Sequence, residues 1–162
     1  MDVICPFPVY SPELMSFNFK LQNLLLPVRE RLSELQLNTS SLCTLCPAAQ
    51  QRPAVETLEH YFFGCQANRD AGAAILTLLI GYDKTMSESK ALCCTITCDK
   101  PSILILSCGL DLIYRRRKEN KRTTRGDVKA ELECLCSMLS RARTRKLREV
   151  ARMVKNQLDN FL

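Results

Sequence analysis

Three cysteines and one histidine, spread over residues 43–65, constrain this chain more than any other feature. Cys43 and Cys46 are two residues apart, thirteen residues then lead to His60, and four more lead to Cys65. Cys-x2-Cys is the spacing at which a tight turn brings two thiolates to one tetrahedral ion. His-x4-Cys can supply the other two ligands from the end of a short helix or turn. His60 is the only histidine among 162 residues, and its place inside the pattern argues against coincidence. Cys43, Cys46, His60 and Cys65 are therefore expected to form a closed zinc knot. Such a knot is structural, because no coordination position is left for water or substrate. It stabilises only with the ion bound, so the loop between Cys46 and His60 is expected to be unformed without metal. The competing reading is that ten cysteines produce a Cys-x2-Cys by chance and that His60 is an ordinary, partly buried histidine.

At 162 residues the chain suffices for one domain that buries about two-thirds of its unfolded surface. Its hydrophobic content of 46% is that of a globular protein. The first thirty residues lack a basic start followed by an apolar core, so no signal peptide is expected. The apolar runs 71–80 and 103–113 are too short and too interrupted to span a bilayer, so no membrane partner is expected. Ten cysteines without a signal peptide read as reduced thiols in an intracellular compartment rather than as a secreted disulfide scaffold, and the nucleus is the expected location. The formal charge of +6 is unevenly spread: residues 1–110 carry eight basic and ten acidic groups, residues 111–162 fifteen and seven.

Residues 1–10 contain two prolines and no period, which predicts an extended lead-in. Ser11-Pro12-Glu13 is a helix start, with a serine cap, proline at the first helical position and a carboxylate in the first turn. The helix would present Leu14, Phe17, Leu21, Leu24 and Leu25 on one face, and Pro27 would end or kink it. Residues 28–37 would resume as a short helix with Val28, Leu32 and Leu35 inward, and residues 38–41 would turn toward Cys43. Residues 67–80 form another helix that stops at Gly81, and the polar stretch 83–90 reads as a loop. Residues 91–98 are ambiguous between strand, loop and short helix. Cys93, Cys94 and Cys98 in that stretch have no histidine nearby, which weighs against a second metal site. From Pro101 a helix carries Ile103, Leu106, Leu110 and Ile113 on an apolar face. After a break at residues 123–126, Asp127 would cap a last helix. Its stripe of Leu132, Leu135, Leu139 and Ala142 resumes out of phase at Leu147, Val150, Val154 and Leu158. Such a helix of about thirty residues would be roughly 45 Å long, with a kink near Thr144 or halves that face different partners.

The excess positive charge forms two clusters. Arg115, Arg116, Arg117, Lys118, Lys121 and Arg122 make up most of the first, and Arg141, Arg143, Arg145, Lys146 and Arg148 the second. Many guanidiniums with almost no interleaved aromatics suit contact with the phosphate backbone of RNA or DNA, with little base specificity. The plainer reading is a solvated helix face or a nuclear-targeting run. No polymerase-like Tyr-x-Asp-Asp, no carboxylate set for a two-metal nuclease, no phosphate-cradling glycine loop and no nucleophile elbow occurs, so no catalysis is expected.

The run Glu56-Thr57-Leu58-Glu59-His60-Tyr61-Phe62-Phe63-Gly64-Cys65, preceded by Cys-x2-Cys, resembles the zinc-binding segment that follows the reverse transcriptase in non-LTR (LINE-type) retrotransposon polyproteins. The resemblance extends upstream through Phe17-Asn18-Phe19-Lys20-Leu21 and Leu26-Pro27-Val28-Arg29-Glu30-Arg31-Leu32. Downstream, Ile113-Tyr114-Arg115-Arg116-Arg117 is similar to the family's Ile-Trp-x-x-Arg stretch. Two departures stand out: residues 50–54 lengthen the gap before the histidine, and Tyr114 replaces tryptophan. The resemblance implies a fragment or stand-alone relic of such a polyprotein, without polymerase or endonuclease.

The expected molecule is mostly α: a small helical domain with a Cys-Cys-His-Cys zinc knot and a long C-terminal basic helical hairpin. Residues 1–40 form a helical lead-in, 41–66 the knot and 67–162 the basic helical region. Its expected function is non-catalytic binding of RNA or DNA backbone. The alternatives are a protein-interaction module, whose last helix pairs through Leu132, Leu135 and Leu139, and a relic without function.

Overall fold

The computed structural model describes residues 11–37, 40–46, 54–93 and 100–161. The expected lead-in at residues 1–10, part of the turn at 38–41, most of the insertion at 50–54, and Cys94 and Cys98 lie outside the described residues, as does the side chain of Cys93. The fold is mostly helical, as expected: seven α-helices and one π-helical turn appear among the described residues.

Helix α1, Pro12–Gln22, starts where the Ser11 side chain accepts the Leu14 N–H at 3.2 Å. It buries Phe17 and Leu21 and ends before Pro27 acts, because Leu24 takes a left-handed conformation with φ 54°. Leu25 N–H then bonds the Lys20 carbonyl at 2.6 Å, and Leu24 N–H the Leu21 carbonyl at 3.1 Å. Those paired bonds reverse the chain and satisfy carbonyls that the helix end leaves open. The reversal exposes Leu24 and Leu25, which helical spacing placed inward, and inserts Leu26 instead. Helix α2, Arg29–Glu34, is shorter than expected and ends in the same way at Gln36. Val28 is buried, but Leu35, expected inward, is 56% exposed.

Helix α3, Arg69–Ile80, packs its buried face against the π-helical turn His60–Gly64. Gly72 permits that approach, since a Cβ there would lie 2.6 Å from the Phe62 carbonyl oxygen. Helix α4, Glu88–Cys93, occupies part of the stretch expected to be loop. Its start was readable in Ser87, whose hydroxyl accepts the Lys90 N–H at 3.2 Å as an N-cap does.

Helix α5, Lys100–Lys118, is central and touches α1, α3, α6, α7 and the π-turn. Leu104, Ile105, Leu106, Leu110 and Ile113 are wholly buried along it. It ends at Asn120, the third left-handed residue, and α6, Arg125–Ser140, follows. Thr124, rather than Asp127, is the N-cap of α6; Asp127 is its reciprocal partner three residues on. The expected long last helix is two helices. Residues 141–144 break it, and α7, Arg145–Phe161, folds back to make the most extensive helix pair in the molecule. The step from Ala142 to Leu147 spans five residues instead of three or four, which gives the chain room to reverse. Arg148 closes the reversal, with Nη1 donating to the carbonyls of Ala142 at 2.7 Å and Arg143 at 3.1 Å. One apolar core runs from Phe17 through Phe62 and Ile75 to Leu158 and draws on all three expected segments. Among the described residues no helix is long and apolar enough to cross a membrane.

Candidate metal centre

Two chain arms deliver the four sequence-predicted ligands to one place. An isolated antiparallel bridge between Leu42 and Val55 clamps the arms. Cys43 N–H bonds the Ala54 carbonyl at 2.9 Å, and Glu56 N–H the Ser41 carbonyl at 2.8 Å. The π-turn then solves a geometric problem posed by His-x4-Cys. Residues five apart on an α-helix point about 140° away from each other. Here the Cys65 N–H closes a π-type bond on the His60 carbonyl at 2.7 Å, which returns both side chains to one side. Thr57 Oγ1 accepts the His60 N–H at 3.0 Å at the start of the turn, and Asn68 Nδ2 donates to the Tyr61 carbonyl at 3.1 Å near its end. Buried Tyr61, Phe62 and Phe63 anchor the turn in the core.

The ligand atoms converge. Cys43 Sγ lies 3.7 Å from Cys65 Sγ, which lies 3.8 Å from Cys46 Sγ, and Cys46 Sγ lies 3.4 Å from His60 Nε2. All four atoms fall within 4.8 Å of one another. Metal–thiolate bonds of about 2.3 Å in a tetrahedron give sulfur–sulfur edges of about 3.8 Å, a length that both close sulfur–sulfur distances match. These residues can hold a metal ion. Cys43 and Cys65 are buried and Cys46 half-buried, in a small apolar cluster with Leu45 and Ala67.

Electrostatics favour an ion as well. The Cys65 thiol beside it holds the Cys43 thiol far below the ordinary thiol range; His60, the Leu45 N–H and Arg117 act the same way. Cys65 is pushed correspondingly upward by the bond to Cys43 and by burial. Without a cation this neighbouring pair resists ionising both sulfurs; a divalent ion removes that conflict.

The first basic cluster is divided by the structure. Arg115 bridges α5 to α6, with Nε on Asp111 at 2.8 Å and Nη2 on Glu131 at 2.7 Å. Arg116 pairs with Asp127, Lys121 with Glu119, and Lys118 lies over the Tyr114 ring at 5.1 Å. Lys118, Lys121 and Arg122 are exposed. Arg117 departs from the expectation of a nucleic-acid contact, because it points inward with 7% of its surface exposed. Its guanidinium pairs with buried Glu56, lies 4.2 Å over the Tyr61 ring and donates to Cys43 Sγ at 3.1 Å. A phosphate backbone cannot reach it there. Glu56 Oε1 also accepts the Arg29 N–H at 3.1 Å and so caps α2. Sequence reasoning missed Glu56, Tyr61 and the inward course of Arg117. The signal existed: Leu106, Leu110, Ile113 and Arg117 continue one helical stripe at steps of four, three and four.

In the second cluster Arg141, Arg143, Arg145 and Lys146 are exposed at the α6–α7 reversal. Among the described residues no ion pair engages them. Arg148 is held by its carbonyl contacts. The two clusters attach to opposite ends of α6, whose sixteen residues span about 24 Å. Comparisons with family models, curated proteins and solved structures give no match.

Proposed function

We propose that Cys43, Cys46, His60 and Cys65 hold one zinc ion as a structural knot in a non-catalytic helical module that binds the backbone of RNA or DNA. The observation that carries the first half is the convergence of three sulfurs and one imidazole nitrogen within 4.8 Å of one another. That donor set suits zinc; calcium and magnesium take oxygen ligands, and copper(II) prefers tetragonal geometry. Four protein ligands close the shell, which favours a structural over a catalytic role. The knot sits where it can staple the fold, since Glu56 joins it to α2 and Arg117 joins it to α5. The likeness of residues 17–65 to the zinc-binding segment of non-LTR retrotransposon polyproteins fits this reading, with the module holding template or target for a polymerase.

The nucleic-acid half rests on Arg141, Arg143, Arg145 and Lys146, four exposed cations that no ion pair engages among the described residues. The protein-pairing alternative loses its surface, because Leu132, Leu135 and Leu139 are buried inside the molecule. Binding of the zinc-loaded chain to single-stranded RNA and to duplex DNA, followed across salt concentrations, tests the proposal. Each phosphate contact contributes about 0.7–0.9 to the slope of log affinity against log salt. Replacing the four cations with alanine is expected to reduce that slope by about 3 and to weaken binding on both nucleic acids. An unchanged slope, or no binding by the parent chain, would refute the nucleic-acid reading.

A further inference from the structure

We infer that Arg117 is a positioning residue of the metal centre, one that fixes Cys43 Sγ and shields it, so that attack on the loaded site begins at Cys46. The inference rests on the zinc reading above. A guanidinium at 7% exposure is costly to bury, and an apolar side chain at the same stripe position would fill the core at lower cost. What surrounds Arg117 shows why a cation suits the place. Three thiolates and a divalent ion leave one net negative charge, and the Arg117 Nη2–H group meets one of those sulfurs at 3.1 Å. Donation from a charged group to an anionic sulfur lowers the electron density that sulfur offers to an electrophile. The guanidinium is itself immobilised, by the Glu56 carboxylate on one side and the Tyr61 ring 4.2 Å away on another. Glu56 is fixed in turn by the Arg29 N–H at 3.1 Å. Cys46 is the more accessible sulfur, half-buried where Cys43 and Cys65 are buried.

The test uses the zinc-loaded full chain and limiting N-ethylmaleimide. Thiolate sulfur adds to the maleimide carbon, the neighbouring carbon takes a proton from water, and the neutral thioether releases the ion to a chromophoric chelator. Zinc affinity is measured alongside, and the alkylated cysteines are mapped by mass spectrometry. Among the three site cysteines Cys46 should be modified first in the parent chain, whatever alkylation the exposed Cys134 outside the site takes up. Arg117→Met should weaken zinc binding by about 10-fold or more and raise the share of early modification at Cys43, with Arg117→Lys intermediate. Because Arg117→Met leaves Glu56 unpaired and can misfold, the double variant Glu56→Leu/Arg117→Met removes both charges and should show the same altered order. Parent-like affinity and modification order in a folded Arg117→Met or double variant would overturn the inference while leaving the zinc reading intact. A parent chain that binds no zinc would instead overturn the zinc reading, and the inference with it.

Discussion

Leu24, Gln36 and Asn120 have φ angles of 54°, 57° and 55°, and each sits one position beyond a helix C-cap. Side-chain-bearing residues cost about 1–2 kcal/mol in that conformation, asparagine less and glycine essentially nothing. Leu24 and Gln36 are exposed and so give up little burial on substitution. Leu24→Gly and Gln36→Gly should each raise the unfolding free energy in chemical denaturation by about 1 kcal/mol. A loss of stability in both would show that these helix ends are held in some other way. Gly72 is the opposite case, because an added Cβ would meet the Phe62 carbonyl, which cannot move without the π-turn. Gly72→Ala should cost about 1–3 kcal/mol and loosen the metal centre with it; unchanged stability would refute that close approach. Local geometry also hides part of the fold from sequence. Leu24, Leu25 and Leu35 kept helical spacing but lay at or beyond points where the chain reverses. Arg117 was grouped with its arginine neighbours by composition, although its place in the apolar stripe pointed inward.

Among the elements, α6 offers the clearest test. Thr124 and Asp127 satisfy each other's backbone N–H, at 3.2 Å to Thr124 Oγ1 and 2.8 Å to Asp127 Oδ2. Thr124→Ala should cost about 1 kcal/mol. Partial burial opposes ionisation of Asp127, but the Thr124 N–H and hydroxyl and the nearby Arg116 outweigh it and hold the carboxyl below its ordinary 3.8. A folded-state value lower than the unfolded one stabilises above the unfolded value and is lost as pH falls through the folded one. The stability gap between the parent and Asp127→Asn should therefore be full above about pH 5 and shrink through the carboxylate range. A pH-independent gap would show that Asp127 acts by shape alone. Helices α3 and α5 were legible from their apolar residues, whereas α6 and α7 read as one long kinked helix, because the five-residue step after Ala142 suits a kink as well as a reversal. The π-turn was not legible, since nothing in a single aromatic run distinguishes i+5 closure from an α-turn.

In the molecule as a whole, an apolar core runs from Phe17 to Leu158, and beside the Cys/His cluster Glu56 and Arg117 join α2 to α5. The four candidate ligands were readable from their spacing; the residues that support them were not, because Glu56 and Arg117 are sixty-one residues apart and meet only in the fold. Cys43, Cys46, His60 and Cys65 are expected to bind one ion on which the fold depends. The most direct measurement is the metal content of chain purified without chelator, beside Cys43→Ser, with thermal unfolding of both. One zinc per parent chain is predicted, removed by chelator or by the substitution together with a marked fall in the unfolding midpoint. A parent chain without zinc, or a Cys43→Ser chain that holds it equally well and unfolds at the same temperature, would contradict the account.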